Sequence, residues 1–367
     1  MSGENLHIGL IIYGSIDSLS GGYLYDRKLV EHLRAKGDQV EIISLPWRTY
    51  SQHLLDNFSN DFFQRLVSLE LDLLLQDELN HPSLLYLNRR LQARARYPIL
   101  SIVHHLRSSE ARSPIENGFY RWLEQRYLTS VDGFIYNSQA TRMAVEGLIP
   151  PFKSSVPPGI VAYPAGDRLA ADVREQEISW RAKQKGPLRI LFVGNLIPRK
   201  GLHTLLLALA QLPDRLWRLV VVGSPEVDRA YVRRVERLAA RLGVNRGVTF
   251  TGAASDEQLV RFMKSSDVLC VPSSYEGFGI VYLEGMSFGL PALAGRSGGA
   301  EEIITHGKDG YLVHANDFRE LATYLEKLAQ DRSLLEQMSL AALERYRAHP
   351  SWEETMQQVR AFLVERV

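Results

Sequence analysis

Two doubly wound α/β domains facing one another across a cleft are the fold this sequence predicts, on three observations. Short, continuous apolar runs, such as residues 7–13 and 188–194, each lead into a glycine turn and then into helical spacing, as expected of strands covered on both faces. That strand, glycine turn, helix unit appears in both halves without any repetition of its sequence. A proline cluster (Pro150, Pro151, Pro157, Pro158) and a polar segment over 167–186 break the pattern between the halves. At 367 residues the chain is long for one core. The expected division is a first domain over 1–165, a linker over 166–187, a second domain over 188–349 and a closing helix over 350–367 that returns to the first domain.

Composition narrows the function classes. With 43 basic and 42 acidic side chains the net charge is +1, so nothing in the global charge calls for nucleic acid. The single cysteine, Cys270, sits in an apolar strand and has no partner for a disulfide or a cysteine-based metal site. The first residues carry a Glu in place of a basic n-region, and their apolar run is too short for a signal peptide. No run approaches the roughly 18 apolar residues of a membrane span. The expected location is cytoplasmic, with peripheral contact at the inner membrane face left open and oligomeric state unread.

Taken in order, the strand over 7–13 is followed by GSIDSLSGG and a helix starting near Gly21 or Gly22, with apolar spacing at Leu24, Leu29, Val30 and Leu33. The glycine spacing is not GxGxxG, so a dinucleotide site is not indicated. A strand over 40–44 completes a β-α-β start. Residues 47–66 are rich in Tyr, Phe, Asn and Asp and read as helix and loop. Strands follow over 71–76 and 98–103, with a basic helix carrying Arg89, Arg90, Arg94 and Arg96 between them, read as a solvated face. His104 and His105 stand at the carboxyl end of the second of these, where open α/β sheets place ligands. Neighbours on a strand point to opposite sides, so at most one of the two faces the cleft. No third ligand cluster is visible beside them, which sets a metal site aside. A strand over 132–137 and a helix capped by Ser138 end the first half. In the second half, strands are expected over 188–194, 219–223, 248–252 and 268–271. The last segment reads as a helix with Ser351 as N-cap, Glu353 and Glu354 in its first turn and Trp352 packed.

The chain is organised around residues 271–291, VPSSYEGFGIVYLEGMSFGLP: a buried strand end, an acidic glycine turn and a short helix. A helix start with open N–H groups and glycines that admit close approach is a place for an anion. Yet Glu276 and Glu284 flank it, and carboxylates repel phosphate while accepting hydrogen bonds from hydroxyls. A nucleotide sugar satisfies both demands. Arg199 and Lys200 lie in a turn just before another helix, where cations oppose the helix dipole unless something anionic offsets them. Both can reach a diphosphate and stabilise its departure. No two aspartates stand two apart, so a DxD metal pair is missing, and these cations with helix N–H groups would replace the metal.

The segments FVGNLIPRKG, YEGFGIVYLEGMSFGLP, SGGAEEII and GKDGYLV together resemble the GT4 glycosyltransferases of GT-B fold. The match is dense over about 189–315 and looser in the first half, where the GG loop, VHH and DGFIYNS fit. The resemblance implies a retaining hexosyltransferase that takes an NDP-sugar and an acceptor hydroxyl on a glycan, lipid or small natural product, with no metal or other cofactor. It implies Glu284 on the ribose hydroxyls and Glu276 on the transferred sugar. Backbone N–H groups of Gly277, Phe278 and Gly279 would meet sugar or phosphate, Arg199 and Lys200 the diphosphate, His104 the donor sugar, and Gly22 the phosphate and acceptor. Base recognition is expected from loop backbone near Gly252 and Ser273. Asp256, Glu257 and Glu302 are read as a helix cap, a helix turn and a structural carboxylate. Two other classes compete: a sugar-nucleotide epimerase on the same fold, for which the first half lacks a matching carboxylate set, and a non-catalytic nucleotide-sugar-binding protein.

Overall fold

The computed structural model describes residues 5–150 and 156–367, so Pro151 of the proline break and the residues before Asn5 lie outside the described residues. The chain divides into two compact units. One comprises the residues up to Pro164 together with Trp352–Val367, the other Ala165–Ser351.

The first unit is built from β1 (His7–Tyr13), α1 (Gly21–Ala35), β2 (Gln39–Leu45), α2 (Tyr50–Asp56), α3 (Asn60–Val67), β3 (Leu73–Asp77), α4 (His81–Leu84), α5 (Leu87–Leu91), β4 (Ile99–Val103), α6 (Pro114–Leu128), β5 (Gly133–Tyr136), α7 (Gln139–Glu146) and β6 (Gly159–Val161). Its sheet is parallel, in the order β2-β1-β3-β4-β5-β6. The continuous apolar runs become the central strands: β3, β4 and β5 are buried at every position, while the edge strand β2 alternates. The aromatic-rich stretch after β2 forms two short helices, the second capped by Ser59 and the first by a Thr49–Gln52 box. The expected basic helix is only the five residues of α5. Arg90 lies over the Phe63 ring at 4.1 Å, which buries part of that side chain, while Arg89, Arg94 and Arg96 are exposed.

The closing helix α16 (Trp352–Val364) packs on α1. Arg360 grips Asp38 through two bonds of 2.7 and 2.9 Å, His32 meets Glu353 at 3.1 Å, and Trp352 lies edge-on to Tyr25 at 5.8 Å.

The second unit runs α8 (Glu175–Ala182), β7 (Leu188–Val193), α9 (Leu202–Leu209), β8 (Trp217–Val222), α10 (Arg229–Arg241), β9 (Val248–Gly252), α11 (Asp256–Ser265), β10 (Val268–Val271), α12 (Ile280–Ser287), β11 (Ala292–Gly295), α13 (Ala300–Ile303), β12 (Gly310–Val313), α14 (Phe318–Gln330) and α15 (Arg332–Arg347). Its parallel sheet has the order β12-β11-β10-β7-β8-β9, so the winding reverses between β7 and β10. Ligands of doubly wound sheets sit outside the strand carboxyl ends at such a reversal. The stretch expected as a linker, 166–187, is built into this unit. Its helix α8 packs on α15, and buried Arg181 donates to the carbonyls of Phe288 and Gly289 at 2.7 and 3.0 Å. A polar composition concealed a helix whose single long cation ties off the end of α12.

Trp352 is 5% exposed, so Trp352→Ala is expected to cost about 3 kcal/mol through lost burial and a cavity. Urea unfolding of the two proteins measures it. An unchanged midpoint would mean that α16 adds nothing to the first unit.

Candidate active site

In the second unit the loops that leave β7 and β10 are neighbours at the winding reversal, and they hold the two motifs that the sequence singles out. Ser274 N–H donates to Arg199 O at 2.8 Å, and an Arg199 Nη1–H donates to Tyr275 O at 2.8 Å, stitching one loop to the other. Between them Glu276 is 6% exposed. One of its oxygens takes Lys200 Nζ at 2.5 Å and Ser273 Oγ at 2.6 Å, and the other lies 3.5 Å from Arg199. Burial alone would raise this carboxyl. Lys200 and Arg199 outweigh it and hold Glu276 down to about 2, while burial pulls Lys200 downward against the attraction of the carboxylate. Ser273, expected near a base, spends its hydroxyl on Glu276.

The backbone around Glu276 is fixed from the far side. Its N–H donates to Ser297 O at 3.3 Å and its carbonyl accepts from Gly299 N–H at 2.9 Å. A Cβ on Gly298 would meet that carbonyl at 1.9 Å, so this approach requires glycine. Gly279 then opens α12 at φ +106, a left-handed conformation, and no side chain caps the helix and no acid stands in its first turn. Its leading N–H groups therefore keep the positive end of the helix open beside the two cations. Phe278 is buried with its ring 5.7 Å from His349.

Glu284 lies on α12 and is 5% exposed. Its Oε1 takes Arg168 Nε at 2.8 Å, and Arg168 also bonds Asp256. Arg168 is the site residue that sequence reading missed. It falls in the supposed linker, 116 residues from its partner, and reaches Glu284 because the chain at Gly166 lies against α12, where a Cβ would come within 2.7 Å of Leu283. Asp256 binds this arginine, and the cap of α11 is Ser255 instead. Glu257 accepts from Ser255 Oγ at 2.7 Å. Gly252 ends β9 at φ +74 and accepts from Gly223 N–H at 2.9 Å. Ser273, Glu276, Arg199 and Lys200 are thus one cluster, whereas Gly252 belongs to the end of β9, with β8 between it and β7.

In the first unit the same end of the sheet carries a second charged group. His104 Nε2 meets Asp26 Oδ1 at 3.1 Å, while His105 turns to Glu110 at 3.0 Å. The two imidazoles point apart as strand geometry requires, and His104 is the one facing α1. Asp77 stands close to the same pair, a grouping hidden by the distance in sequence. Its Oδ1 is committed to Leu79 N–H at 2.9 Å, and His104 Nε2 to Asp26, so Asp77 stands beside the ion pair of the other two. Burial would lower His104, but Asp26, with Asp77 and Glu78, raises it to about 9; Asp77 is pushed up to about 7 by burial and by Asp26. Gly22 lies against the His104 ring, and the N-terminus of α1 is already capped by Ser20 on Tyr23 N–H at 3.3 Å.

The fold and the sequence are both similar to those of known proteins. Residues 173–345 match the family described as Glycosyl transferases group 1, and the two parallel six-stranded sheets with their helices have the GT-B fold of two Rossmann-like units. Among relatives, the chain is 32% identical over 251 residues to the D-inositol 3-phosphate glycosyltransferase of Corynebacterium urealyticum, covering 65% of this chain and 58% of that one. It is 31% identical over 218 residues to the GDP-mannose-dependent alpha-(1-6)-phosphatidylinositol monomannoside mannosyltransferase of Mycobacterium tuberculosis, covering 57% and 54%. The chain spans about half the length of the curated relatives it matches. Sucrose-phosphate synthase from Thermosynechococcus elongatus shares the fold with a TM-score of 0.82 at 22% identity, covering 98% of this chain and 99% of that one. So does Anabaena HepE, solved with UDP and glucose, with a TM-score of 0.74 at 22% identity over 98% and 100%. No helix among the described residues is long and apolar enough to cross a membrane.

Because the folded pKa of Glu276 lies below its ordinary 4.5, its contribution to stability is present above pH 4.5 and lost as pH falls toward about 2. Glu276→Gln is expected to cost about 3 kcal/mol at pH 7 by stranding Lys200, and to lose less than the parent between pH 4.5 and 2.5. Urea titrations across that window read both effects.

Proposed function

We propose that this chain is a retaining glycosyltransferase that moves a hexose from an NDP-sugar to an acceptor hydroxyl without a metal ion, acting in the cytoplasm. The observation that carries this reading is the gathering of Arg199, Lys200 and ionised Glu276 at the ends of β7 and β10, beside the uncapped start of α12. The geometry suits an exchange of partners. A donor diphosphate drawn to the open N–H groups of α12 takes over the charge of Lys200 and Arg199, and Glu276 is released to accept a hydrogen bond from a sugar hydroxyl. As the bond between sugar and diphosphate breaks, negative charge grows on the departing phosphate. Two cations and a helix dipole already fixed in place stabilise that charge without reorganising, which is the work a divalent ion does elsewhere.

Glu284 suits the ribose. Arg168 fixes one of its oxygens, and Oε2 takes no bond from the described residues, so a vicinal diol has an acceptor held in position. Retention follows if the acceptor attacks from the face the diphosphate leaves, a route that needs no enzyme nucleophile. His104 is assigned to the same transfer. A nucleotide-sugar donor agrees with relatives whose names specify GDP-mannose, and with HepE, solved with UDP-glucose. The acceptor is left as a hydroxyl compound.

Release of NDP on mixing donor and acceptor is the direct assay. Glu276→Ala is expected to lower turnover about 100-fold with the thermal shift by NDP retained, and Lys200→Ala to weaken both. Product formed from the donor with no acceptor present would favour the epimerase instead, and binding with no turnover for any common donor and acceptor would favour the pure binder. In a thermal-shift panel of UDP, GDP, ADP and dTDP, one base is expected to stand out.

A further inference from the structure

The helix that opens the first unit presents Gly22, Tyr25 and Asp26 at positions i, i+3 and i+4, which is one face. All three meet His104. A Cβ on Gly22 would lie 3.0 Å from the ring's Cδ2 and 3.4 Å from Cγ, tighter than side chains ordinarily pack. Tyr25 stands edge-on to the ring at 5.3 Å, itself held by a hydroxyl bond to Ala162 O at 3.2 Å. Asp26, with no exposure, places Oδ1 3.1 Å from Nε2. The strand side is fixed as well, because Asn137 Nδ2 donates to the His104 carbonyl at 2.7 Å. The ring is therefore set by three neighbours on α1 and its backbone by Asn137, while Nδ1 takes no bond from the described residues and the side chain stays 14% exposed.

We infer that Asp26 is a positioning residue for His104: it holds Nε2 on the interior side, fixes the ring between Gly22 and Tyr25, and leaves the Nδ1 edge for substrate. This deepens the glycosyl transfer reading and rests on it for what the imidazole does. The chemistry of the pair is particular. A carboxylate accepting from Nε2 requires the proton on that nitrogen, and the charges that act most on the ring are Asp26 from α1 and Asp77 and Glu78 from the end of β3, all acidic. The phenols of Tyr23 and Tyr25 stay neutral, pushed up by burial and by Asp26. The imidazole is thus held as a cation through neutral pH. Both ring nitrogens then donate, one to Asp26 and one outward, which suits a sugar oxygen or a phosphate and not a base's task of taking a proton. Gly22 acquires a second meaning. It is the space that this ring occupies, whatever else the loop does.

The test uses the full chain. Ring NMR titration of its ten histidines, with His104→Asn to assign the resonance, is expected to show one imidazole still protonated at pH 8. Asp26→Asn is expected to lower that pKa by two units or more, about a hundredfold loss of proton affinity. In the NDP-release assay Asp26→Asn should lower kcat about tenfold or more at pH 8, and the deficit should narrow as pH falls and the ring recovers its proton. A deficit equal at every pH, or a wild-type His104 that titrates at 6.5 or below, would overturn the inference. If Asp26→Asn does not fold, the wild-type titration decides the charge, and Gly22→Ala, which crowds the ring and leaves the carboxylate in place, should lower kcat while the pKa stays raised. The titration needs no turnover, so an absence of transferase activity would count against the transfer reading and leave the pair itself measured.

Discussion

A buried carboxylate is the constraint on which the second unit's functional end depends. Glu276 is almost without solvent, and isolating such a charge costs far more than a domain can supply. The chain answers with an ammonium, a guanidinium and a hydroxyl, taken from the loops after β7 and β10. Those loops meet only because the strand order reverses between those two strands. The glycine that lets Gly298 slide under the Glu276 carbonyl and the left-handed Gly279 that starts α12 follow from the same need to pack backbone around a charge. Removing the topology removes the neighbours, and removing the neighbours leaves a carboxylate that must take up a proton.

The two units treat their strand ends differently. In the first, the helix after β1 is capped by its own Ser20, and its exposed opportunity is spent on holding His104. In the second, α12 has no side-chain cap, and its dipole faces cations that are already occupied by Glu276. Charge in both places is stored as a contact between protein groups: a histidine raised by aspartate, a glutamate lowered by lysine and arginine. A ligand that enters either place must offer better partners than the protein now provides, which is a basis for selecting anions that also carry hydroxyls.

Much of this was legible in the sequence because short-range chemistry carried it. The strands announced themselves by unbroken burial, and the eight-residue interval from Glu276 to Glu284 put one acid in a turn and the other on a helix. What was not legible depended on long-range approach. Arg168 sits in a polar stretch with linker composition, and nothing near it in sequence announces Glu284. The basic segment around Arg89 reads in sequence as one helix, because arginine is a good helix former, whereas the helix spans only Leu87–Leu91. Asp26 is an intermediate case: 78 residues separate it from His104, yet its spacing from Gly22 and Tyr25 on one helix face was there to be read.

The measurement that bears most directly on the second unit's site is a crystal structure of the chain soaked with an NDP-sugar in metal-free buffer containing a chelator. Partner exchange predicts the diphosphate on the first N–H groups of α12 with Lys200 turned onto it and the Lys200–Glu276 contact opened. A donor bound elsewhere, or bound here with Lys200 still on Glu276, would contradict it.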